Sequence, residues 1–304
     1  MTEKKVTLQD TLKSEDTEEW IDLIFYRPIG YRWALFFKKI HVTPNAVTIL
    51  SIILGVAAGV MFYFTNLWFN IVGMFLLIWA NTYDSADGQL ARMTGQYSRM
   101  GRILDGVAGD CWFISIYAAI CLRLTPSWGI WIWLLAAIAG YFHSKQAAMA
   151  DFIRNFHLLF VKEKGKSELD DSAMLTERSK SLTWQKDRVE KIFMLFYIPY
   201  TKGQEDWMPE ARKLRKALKE KEGDSRIPPG FRDEFRQASR PVMKYTNILS
   251  FNTRVIALFI CLFAGHPWIY FAFELTVLNI LLIYMLHTYG NICKRFTLRL
   301  RRDD

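Results

Sequence analysis

The chain has 304 residues, of which 51% are hydrophobic, and a formal net charge of +9. The apolar residues are bunched, since no charged side chain occurs from Val42 to Tyr83. A soluble helical core normally shows a polar face at every turn, and these runs do not. The composition therefore argues against a soluble protein and predicts an all-α integral membrane protein.

The first segment, residues 1–42, begins with a polar tail. From Glu18 to Ile40 it alternates apolar and aromatic residues with Arg and Lys. This pattern is typical of an amphipathic helix that lies in the membrane interface. Pro28 is expected to break this helix or to begin its second half.

The second segment, residues 43–156, contains runs that are long enough for four spans of roughly 20 residues each. The first span is predicted to start with Thr43 as its N-cap and Pro44 in the first turn. Its GxxxG pattern at Gly55 and Gly59 predicts close approach of another helix. The next three spans are expected at about 67–92, 102–122 and 128–155.

The third segment, residues 157–244, is a highly charged insert. Lys180–Lys191 and Pro209–Glu222 are predicted to be surface helices of this insert. A solvated charged face and a surface that binds anionic lipid headgroups are the two interpretations left open.

The last segment, residues 245–304, adds two spans, at about 252–264 and 268–293, and a basic tail. Lys and Arg crowd the insert, the N-terminal helix, the tail and the loop Arg92–Arg102, which the positive-inside rule places in the cytoplasm. Both termini on one side require an even number of spans, and we count six. The expected location is the bacterial inner (cytoplasmic) membrane, with the functional site facing the cytoplasm.

Four carboxylates lie at the predicted cytoplasmic ends of the second and third spans, at Asp84, Asp87, Asp105 and Asp110. Acidic residues near hydrocarbon are costly, by roughly 2.5–3.5 kcal/mol each at a helix centre. Divalent metal ions could offset this cost, and oxygen ligands in this number suit Mg²⁺ or Mn²⁺ better than zinc.

The spacing in the first half of this stretch supports a ligand site. Asp84 and Asp87 are three residues apart and share one helix face. Gly88 and Ala91 continue that face, so two carboxylates are followed by two very small side chains. Such a stripe leaves room for a ligand against bare backbone.

Here the sequence resembles the CDP-alcohol phosphatidyltransferase family. That family carries Asp-x2-Asp-Gly-x2-Ala-Arg, about eight further residues, and Gly-x3-Asp-x3-Asp. The residues that match are Asp84, Asp87, Gly88, Ala91, Arg92, Gly101 and Asp105. The interfacial helix, the Thr-Pro-Asn start of the first span and the six-span layout are also similar to the family.

The resemblance implies a membrane enzyme that transfers a phospho-alcohol group from a CDP-linked lipid donor to an alcohol acceptor, with release of CMP. It implies metal ligation by Asp84, Asp87 and Asp105. It implies that Gly88, Ala91, Arg92 and Gly101 line the site for the donor's nucleotide and diphosphate. The last aspartate of the motif would bind metal and act as general base. Membrane lipids and a second copy of the chain are the expected partners, and nucleic acid is not.

The sequence departs from the family pattern at that last aspartate. Position 109 is Gly109, and the carboxylate follows one residue later, at Asp110. In a regular helix a residue at i+5 points about 140° away from the first, whereas i+4 points about 40° away. We expect a π-bulge between Asp105 and Asp110 to bring Asp110 back as base and metal ligand. The alternative is a catalytically degenerate scaffold that binds lipid or nucleotide.

A second polar cluster is predicted at the end of the fourth span. Lys145 and Arg154 are candidates to hold a phosphate on the acceptor, which favours a polyol phosphate over an uncharged alcohol. They could equally be interfacial anchors. Glu274, an isolated acid in the sixth span, is expected either to pair with a neighbouring helix or to contact substrate.

Overall fold

A computed structural model describes residues 16–97, 99–161, 169–221 and 230–302. The side chains of six residues inside these ranges lie outside the description: Arg99, Met100, Arg102, Ile103, Asp105 and Arg302. Every regular element in the described ranges is helical, which confirms the all-α part of the predicted fold class. Residues of the chain divide into two compact units, Met1–Phe142 with Val255–Leu275 and His143–Arg254 with Thr276–Asp304.

The first half of the chain forms five long helices. They are α1 (Arg27–Lys39), α2 (Pro44–Tyr63), α3 (Leu67–Thr94), α4 (Arg99–Trp128) and α5 (Trp131–Val161). A π-helical turn, Asp22–Tyr26, leads into α1, whose second residue is Pro28. Pro28 therefore stands at the junction of the two halves of this segment, as one of the two interpretations predicted.

The second half contains helices of 6 to 20 residues before the last one, which has 24. They are α6 (Ser172–Ser181), α7 (Arg188–Trp207), α8 (Pro209–Lys221), α9 (Phe231–Ser239), α10 (Met243–Ile248), α11 (Phe251–Phe263), α12 (Trp268–Phe273) and α13 (Asn279–Arg302). A 3₁₀ turn, Arg240–Val242, precedes α10, and a π-helical segment, Glu274–Leu278, precedes α13.

Four stretches among the described residues are long and apolar enough to cross a membrane. They are Pro44–Tyr63, Gly106–Trp128, Phe231–Phe263 and Trp268–Arg301. The second and fourth predicted spans are present as the long helices α3 and α5, although neither is among these four. The described part of the chain is thus helical with four candidate spans, and the six-span layout and the interfacial position of α1 remain predictions.

In the first unit, α2 packs closely against α4. A Cβ atom built on Gly55 would lie 2.0 Å from Cδ1 of Trp112, and one on Gly59 would lie 2.3 Å from Oγ of Ser115. Only glycine permits such an approach, so the close contact predicted from the GxxxG pattern is confirmed. Thr43 is the N-cap of α2, as predicted, and its side chain accepts a hydrogen bond from the backbone N–H of Ala46 at 3.4 Å.

In the second unit, the insert folds against the end of α5 and against α13. Phe160 stacks on Phe235 with ring centroids 3.9 Å apart. Lys221, at the end of α8, donates a hydrogen bond to the carbonyl of Leu300 in α13. The predicted surface helix Pro209–Glu222 is confirmed as α8 through Lys221, and Glu222 lies outside the described residues.

The predicted surface helix Lys180–Lys191 was wrong. Its residues include the end of α6 at Ser181 and the start of α7 at Arg188. Asp187 explains the break, because its carboxylate accepts hydrogen bonds from the backbone N–H and the hydroxyl of Thr183. Such local bonds compete with helix and favour a turn.

Candidate functional site

The aspartates of α3 lie on one face of a long helix. Asp84, Asp87, Gly88 and Ala91 fall within a sector of about 100°, because a helix turns about 100° per residue. Helix α3 is continuous through all four positions. The stripe of two carboxylates and two small residues predicted from the sequence is therefore present.

The opposite face of α3 is held by α1. A Cβ atom on Gly30 would lie 3.1 Å from Oγ of Ser85, and the side-chain amide of Gln89 donates a hydrogen bond of 3.1 Å to the carbonyl of Arg27. Ala86 and Leu90 are fully buried in the core cluster shared with α1. This packing fixes the rotation of α3 and hence the direction of its aspartate face.

Asp87 is buried and has a specific partner on α2. The side chain is 4% exposed, and the hydroxyl of Thr48 donates to its Oδ2 at 2.5 Å. The same hydroxyl lies 3.1 Å from the carbonyl of Pro44, in the first turn of α2. The helix start at Thr43 and Pro44 therefore places Thr48 beside the carboxylate. The sequence analysis missed Thr48, although a hydroxyl in an otherwise apolar span was the signal that could have revealed it.

Arg92 lies beside Gly88 on the same helix. A Cβ atom built on Gly88 would meet Nη2 of Arg92 at 3.4 Å. The guanidinium thus lies against the backbone that was expected to be bare. This arrangement puts a cation against the small-residue part of the stripe, where an anionic ligand would need it.

Helix α4 carries the second half of the motif in regular geometry. An unbroken α-helix runs from Arg99 to Trp128, so the predicted π-bulge between Asp105 and Asp110 was wrong. Gly106 and Gly109, the two glycines between Asp105 and Asp110, both lie within this regular helix. Position 110 therefore lies about 140° around the helix from position 105, and the side chain of Asp110 is exposed.

Position 109 is sterically open. Apart from Gly109 itself, its two chain neighbours and the nearby backbone of α4, no described atom lies within 4 Å of a Cβ built on Gly109. The glycine at this position is therefore not required by packing against the described part of the chain. An aspartate would fit there.

The metal prediction stays a prediction. Among the side chains that the structure describes, no three potential ligands of the His, Cys, Asp or Glu type come together. The side chain of Asp105, one of the predicted ligands, lies outside the described residues. Gly101, predicted to line the donor site, lies in the first turn of α4.

Lys145 and Arg154 are not brought together. They are nine residues apart on α5, which places them on opposite faces of the helix. The Lys145 ammonium lies 5.8 Å from the ring centroid of Trp207 in α7. Arg154 instead donates hydrogen bonds to Ser250 at 2.7 Å and to Asn247 at 3.4 Å.

A second arginine, Arg254, lies in the same unit and was missed from the sequence. It is 1% exposed and forms hydrogen bonds with the carbonyl of Leu249 at 3.1 Å, Nδ1 of His143 at 3.0 Å and Oε1 of Gln146 at 2.8 Å. An arginine in a predicted span is costly and points to a functional or paired group, which was the available signal. His143, Gln146 and Arg154 share one face of α5, so the polar cluster of this unit is built around two arginines.

Comparison with known proteins decides the family of the motif-bearing region. Residues 41–153 match the family model described as CDP-alcohol phosphatidyltransferase. The chain carries a CDP-alcohol phosphatidyltransferase domain. The resemblance predicted from the aspartate motif is therefore confirmed.

Two curated relatives belong to the same family. The bifunctional IPC transferase and DIPP synthase of Aquifex aeolicus (strain VF5) is 31% identical over 98 residues, which is 32% of this chain and 22% of that protein. The archaetidylinositol phosphate synthase of Pyrococcus horikoshii is 30% identical over 113 residues, 37% of this chain and 57% of that protein. The matches thus span less than two thirds of either relative. No solved structure matches significantly.

The CDP-alcohol phosphatidyltransferase domain includes α2, α3 and α4 and most of α5. It therefore contains all four motif aspartates, Thr48 and Lys145. It also contains Gly55 and Gly59, where α2 packs closely against α4. Arg254 and the insert helices lie outside the matched region.

Proposed function

We propose that this chain is a membrane enzyme that transfers a phospho-alcohol group from a CDP-linked lipid donor to an alcohol acceptor, with release of CMP. The observation that carries this proposal is the stripe of Asp84, Asp87, Gly88 and Ala91 on one face of α3 within a family-matched domain. The opposite face of α3 is packed against α1, whereas Asp84, Gly88 and Ala91 of the stripe are partly exposed and Asp87 is buried beside Thr48.

The donor side of the proposal uses the aspartates and Arg92. Carboxylate oxygens of Asp84, Asp87 and Asp105 are the ligand type that Mg²⁺ or Mn²⁺ takes in proteins. A divalent ion held there would neutralise charge on the donor's diphosphate and help the CMP leaving group to depart. Thr48 orients the Asp87 carboxylate, and the Arg92 guanidinium beside Gly88 adds a fixed positive charge.

For the acceptor, we propose a polyol phosphate. Arg154, which donates hydrogen bonds to Ser250 and Asn247, supplies the positive charge that a phosphate ester requires. One relative is named for the synthesis of an inositol phosphate lipid, which supports the same class of acceptor. Lys145, on the other face of α5, is a weaker candidate because the α7 residue Trp207 already contacts it.

Proton removal from the acceptor hydroxyl requires a base. We propose Asp110 for this role because it is the carboxylate that α4 offers after Asp105. In the regular helix Asp110 does not share the face of position 105, so its predicted role as a further metal ligand is not part of this proposal. The regular helix turns position 110 away from the face of position 105, so the assignment of Asp110 as the base needs a direct test. Substitutions at positions 109 and 110 provide that test.

One observation favours a second candidate function, the catalytically degenerate scaffold. Gly109 stands where the family places its last aspartate, and the helix does not shift Asp110 into that direction. A scaffold would bind the CDP-linked donor without consuming it. Turnover, not binding, therefore separates the two candidates.

We also propose that α3 and α5 complete a six-span topology, with α1 in the interface and the motif end of α3 and α4 in the cytoplasm. The cationic segments that follow α3 and α5 support this orientation through the positive-inside rule. A membrane-impermeant thiol reagent applied to intact and lysed cells tests it with a cysteine placed at Lys216, which is exposed in the insert. Labelling only after lysis is the expected result, and equal labelling in intact cells would contradict the topology.

The acceptor is tested with purified full-length protein, Mg²⁺, a CDP-linked lipid and separate alcohols: inositol, inositol phosphate, glycerol phosphate and serine. We expect CMP release to be fastest with a phosphorylated polyol and to fall at least tenfold in Arg154→Gln, which corresponds to about 1.4 kcal/mol. Equal rates with phosphorylated and unphosphorylated acceptors would contradict the acceptor assignment while leaving the transfer activity standing.

A further inference from the structure

Helix α7 of the insert has its polarity reversed. The residues that it buries are Met194, Thr201, Gln204 and Glu205, three of which are polar. Its exposed side is apolar. A helix that packs on a protein in water normally shows the opposite arrangement.

The buried face of α7 is fixed by specific hydrogen bonds. The side-chain amide of Gln204 donates to the carbonyl of Ala148 in α5 at 2.8 Å. The carboxylate of Glu205 accepts from the backbone N–H of Ser172 at 3.1 Å and from its hydroxyl at 2.5 Å. These bonds set which side of α7 faces outward.

The outward face forms a continuous apolar stripe. Phe196 is 73% exposed and Leu195 is 58% exposed. The stripe consists of Val189, Ile192, Leu195, Phe196 and Tyr200, which recur at the spacing of successive helical turns. Exposed apolar surface of this extent on one helix indicates a contact with a partner or a membrane.

The composition around the stripe favours a lipid surface. Arg188 and Lys202 are exposed at the two ends of the stripe, and Trp184 is exposed in the turn before α7. One acidic residue, Asp206, is exposed in α7 after the C-terminal end of the stripe. Cations beside an apolar face and aromatic residues at its rim are typical of helices in the membrane interface. The uncharged run Ile192–Thr201 has half the length that a membrane span needs.

The attachment point of α7 agrees with this environment. Ala148 and Lys145, which contact Gln204 and Trp207, lie just after α5 changes from the apolar run Trp131–Phe142 to a polar sequence. Such a change in a helix of a membrane protein marks the level of the headgroups.

We propose that α7 lies in the membrane interface, with the stripe from Val189 to Tyr200 inserted at the boundary between headgroups and acyl chains. The insert is then a peripheral attachment of the chain to the bilayer, separate from the aspartate motif. Its partner is lipid, and a second copy of the chain is the alternative occupant.

The test uses the full-length chain in lipid nanodiscs. The variant Phe196→Cys is labelled at its new cysteine with an environment-sensitive fluorophore. The variant Ile192→Cys is labelled in the same way and repeats the measurement one turn earlier. The matched control is Lys216→Cys in α8, an exposed position of the same insert. Labelling of the unsubstituted chain gives the background from its four cysteines.

We expect lipids that carry a nitroxide near the headgroup to quench the label at 196 and at 192 several-fold more strongly than at 216, with blue-shifted emission at 196. Equal quenching at 196 and 216 overturns the proposal. A second outcome also overturns the proposal: the label at 196 is not quenched by lipid, and its blue shift grows with the number of copies of the chain per disc. That outcome assigns the stripe to a second copy.

Discussion

At the scale of single residues, the site depends on how a buried carboxylate is held. Asp87 is almost fully buried, and its hydrogen bond to Thr48 ties the metal-ligand candidate on α3 to the first turns of α2. A buried charge needs such partners, because removing one leaves its desolvation cost uncompensated. The sequence predicted Asp87 from its spacing, but the partner comes from a different helix and could not be read from a local pattern.

Thr48→Val should weaken the site without removing any proposed ligand. The lost hydrogen bond should cost about 1–3 kcal/mol and lower the affinity for the metal-dependent CDP-linked donor. Calorimetric titration of CDP-lipid analogue in Mg²⁺ measures this, and Thr48→Ser, which keeps the hydroxyl, is the control. Equal donor affinity in the Val and Ser variants would show that Thr48 does not position Asp87.

Positions 109 and 110 separate the two candidate functions. If Asp110 is the base, Asp110→Asn should remove most turnover and leave donor binding nearly intact, because a base acts on the acceptor. Gly109→Asp should then restore part of the activity in the Asp110→Asn background, since position 109 is open and points within about 40° of Asp105. The measurement is CMP release alongside donor affinity, and unchanged turnover in Asp110→Asn would remove Asp110 from the scheme.

At the scale of elements, local patterns predicted most helices, while contacts between distant segments decided the rest. The Thr43–Pro44 start and the glycine pattern of α2 were readable, because both depend on residues within one helix. The separation of Lys145 and Arg154 follows from helical geometry and was available from the sequence. The polar cluster around Arg254 could not be predicted from the sequence, because it joins residues more than 100 positions apart.

The contact between α2 and α4 should be intolerant of added volume. Gly55→Leu would drive a side chain into Trp112 and should destabilise the protein by about 1–3 kcal/mol, or more if the helices separate. Gly290→Ala in α13 is the control, because no described atom lies within 4 Å of a Cβ there and the helix should gain slightly. Thermal unfolding in detergent should show a lower Tm only for Gly55→Leu; equal Tm values for the two variants would disprove the close packing.

The insert should show acid-sensitive stability at Asp171, which caps α6. Partial burial acts to raise the pKa of this carboxyl. The hydrogen bond and charge of Lys219, the charge of Arg215 and the backbone N–H of Ala173 together outweigh burial and leave the pKa below its usual value. The contribution of Asp171 to the free energy of unfolding is therefore fully present above the unfolded pKa of about 3.9, and it is lost as pH falls through the lower folded pKa. Proteolysis of the insert should accelerate below about pH 4 in the native chain. Asp171→Asn, which keeps the capping oxygen, should flatten that dependence, and an unchanged acid limb would contradict the pairing.

At the scale of the whole molecule, the matched domain and the insert carry different parts of the proposal. Residues 41–153 place the aspartate motif in a known family, while the insert contributes the outward apolar face of α7. The sequence predicted the insert as a highly charged segment with two surface helices, but it did not show that α7 buries polar residues and exposes apolar ones. That reversal depends on tertiary contacts with α5 and α6.

The central claim is that the aspartate face of α3 drives CDP-dependent transfer, and its most direct test is CMP release by the purified full-length chain with a CDP-linked lipid and a phosphorylated polyol. We predict release that requires Mg²⁺ or Mn²⁺, stops in chelator and falls by at least about 10³-fold, or about 4 kcal/mol, in Asp87→Asn. Asp233→Asn, at an exposed position of α9, should match the native chain. Undiminished CMP release in chelator or in Asp87→Asn, or no release from the native chain with any acceptor despite donor binding, would contradict the claim.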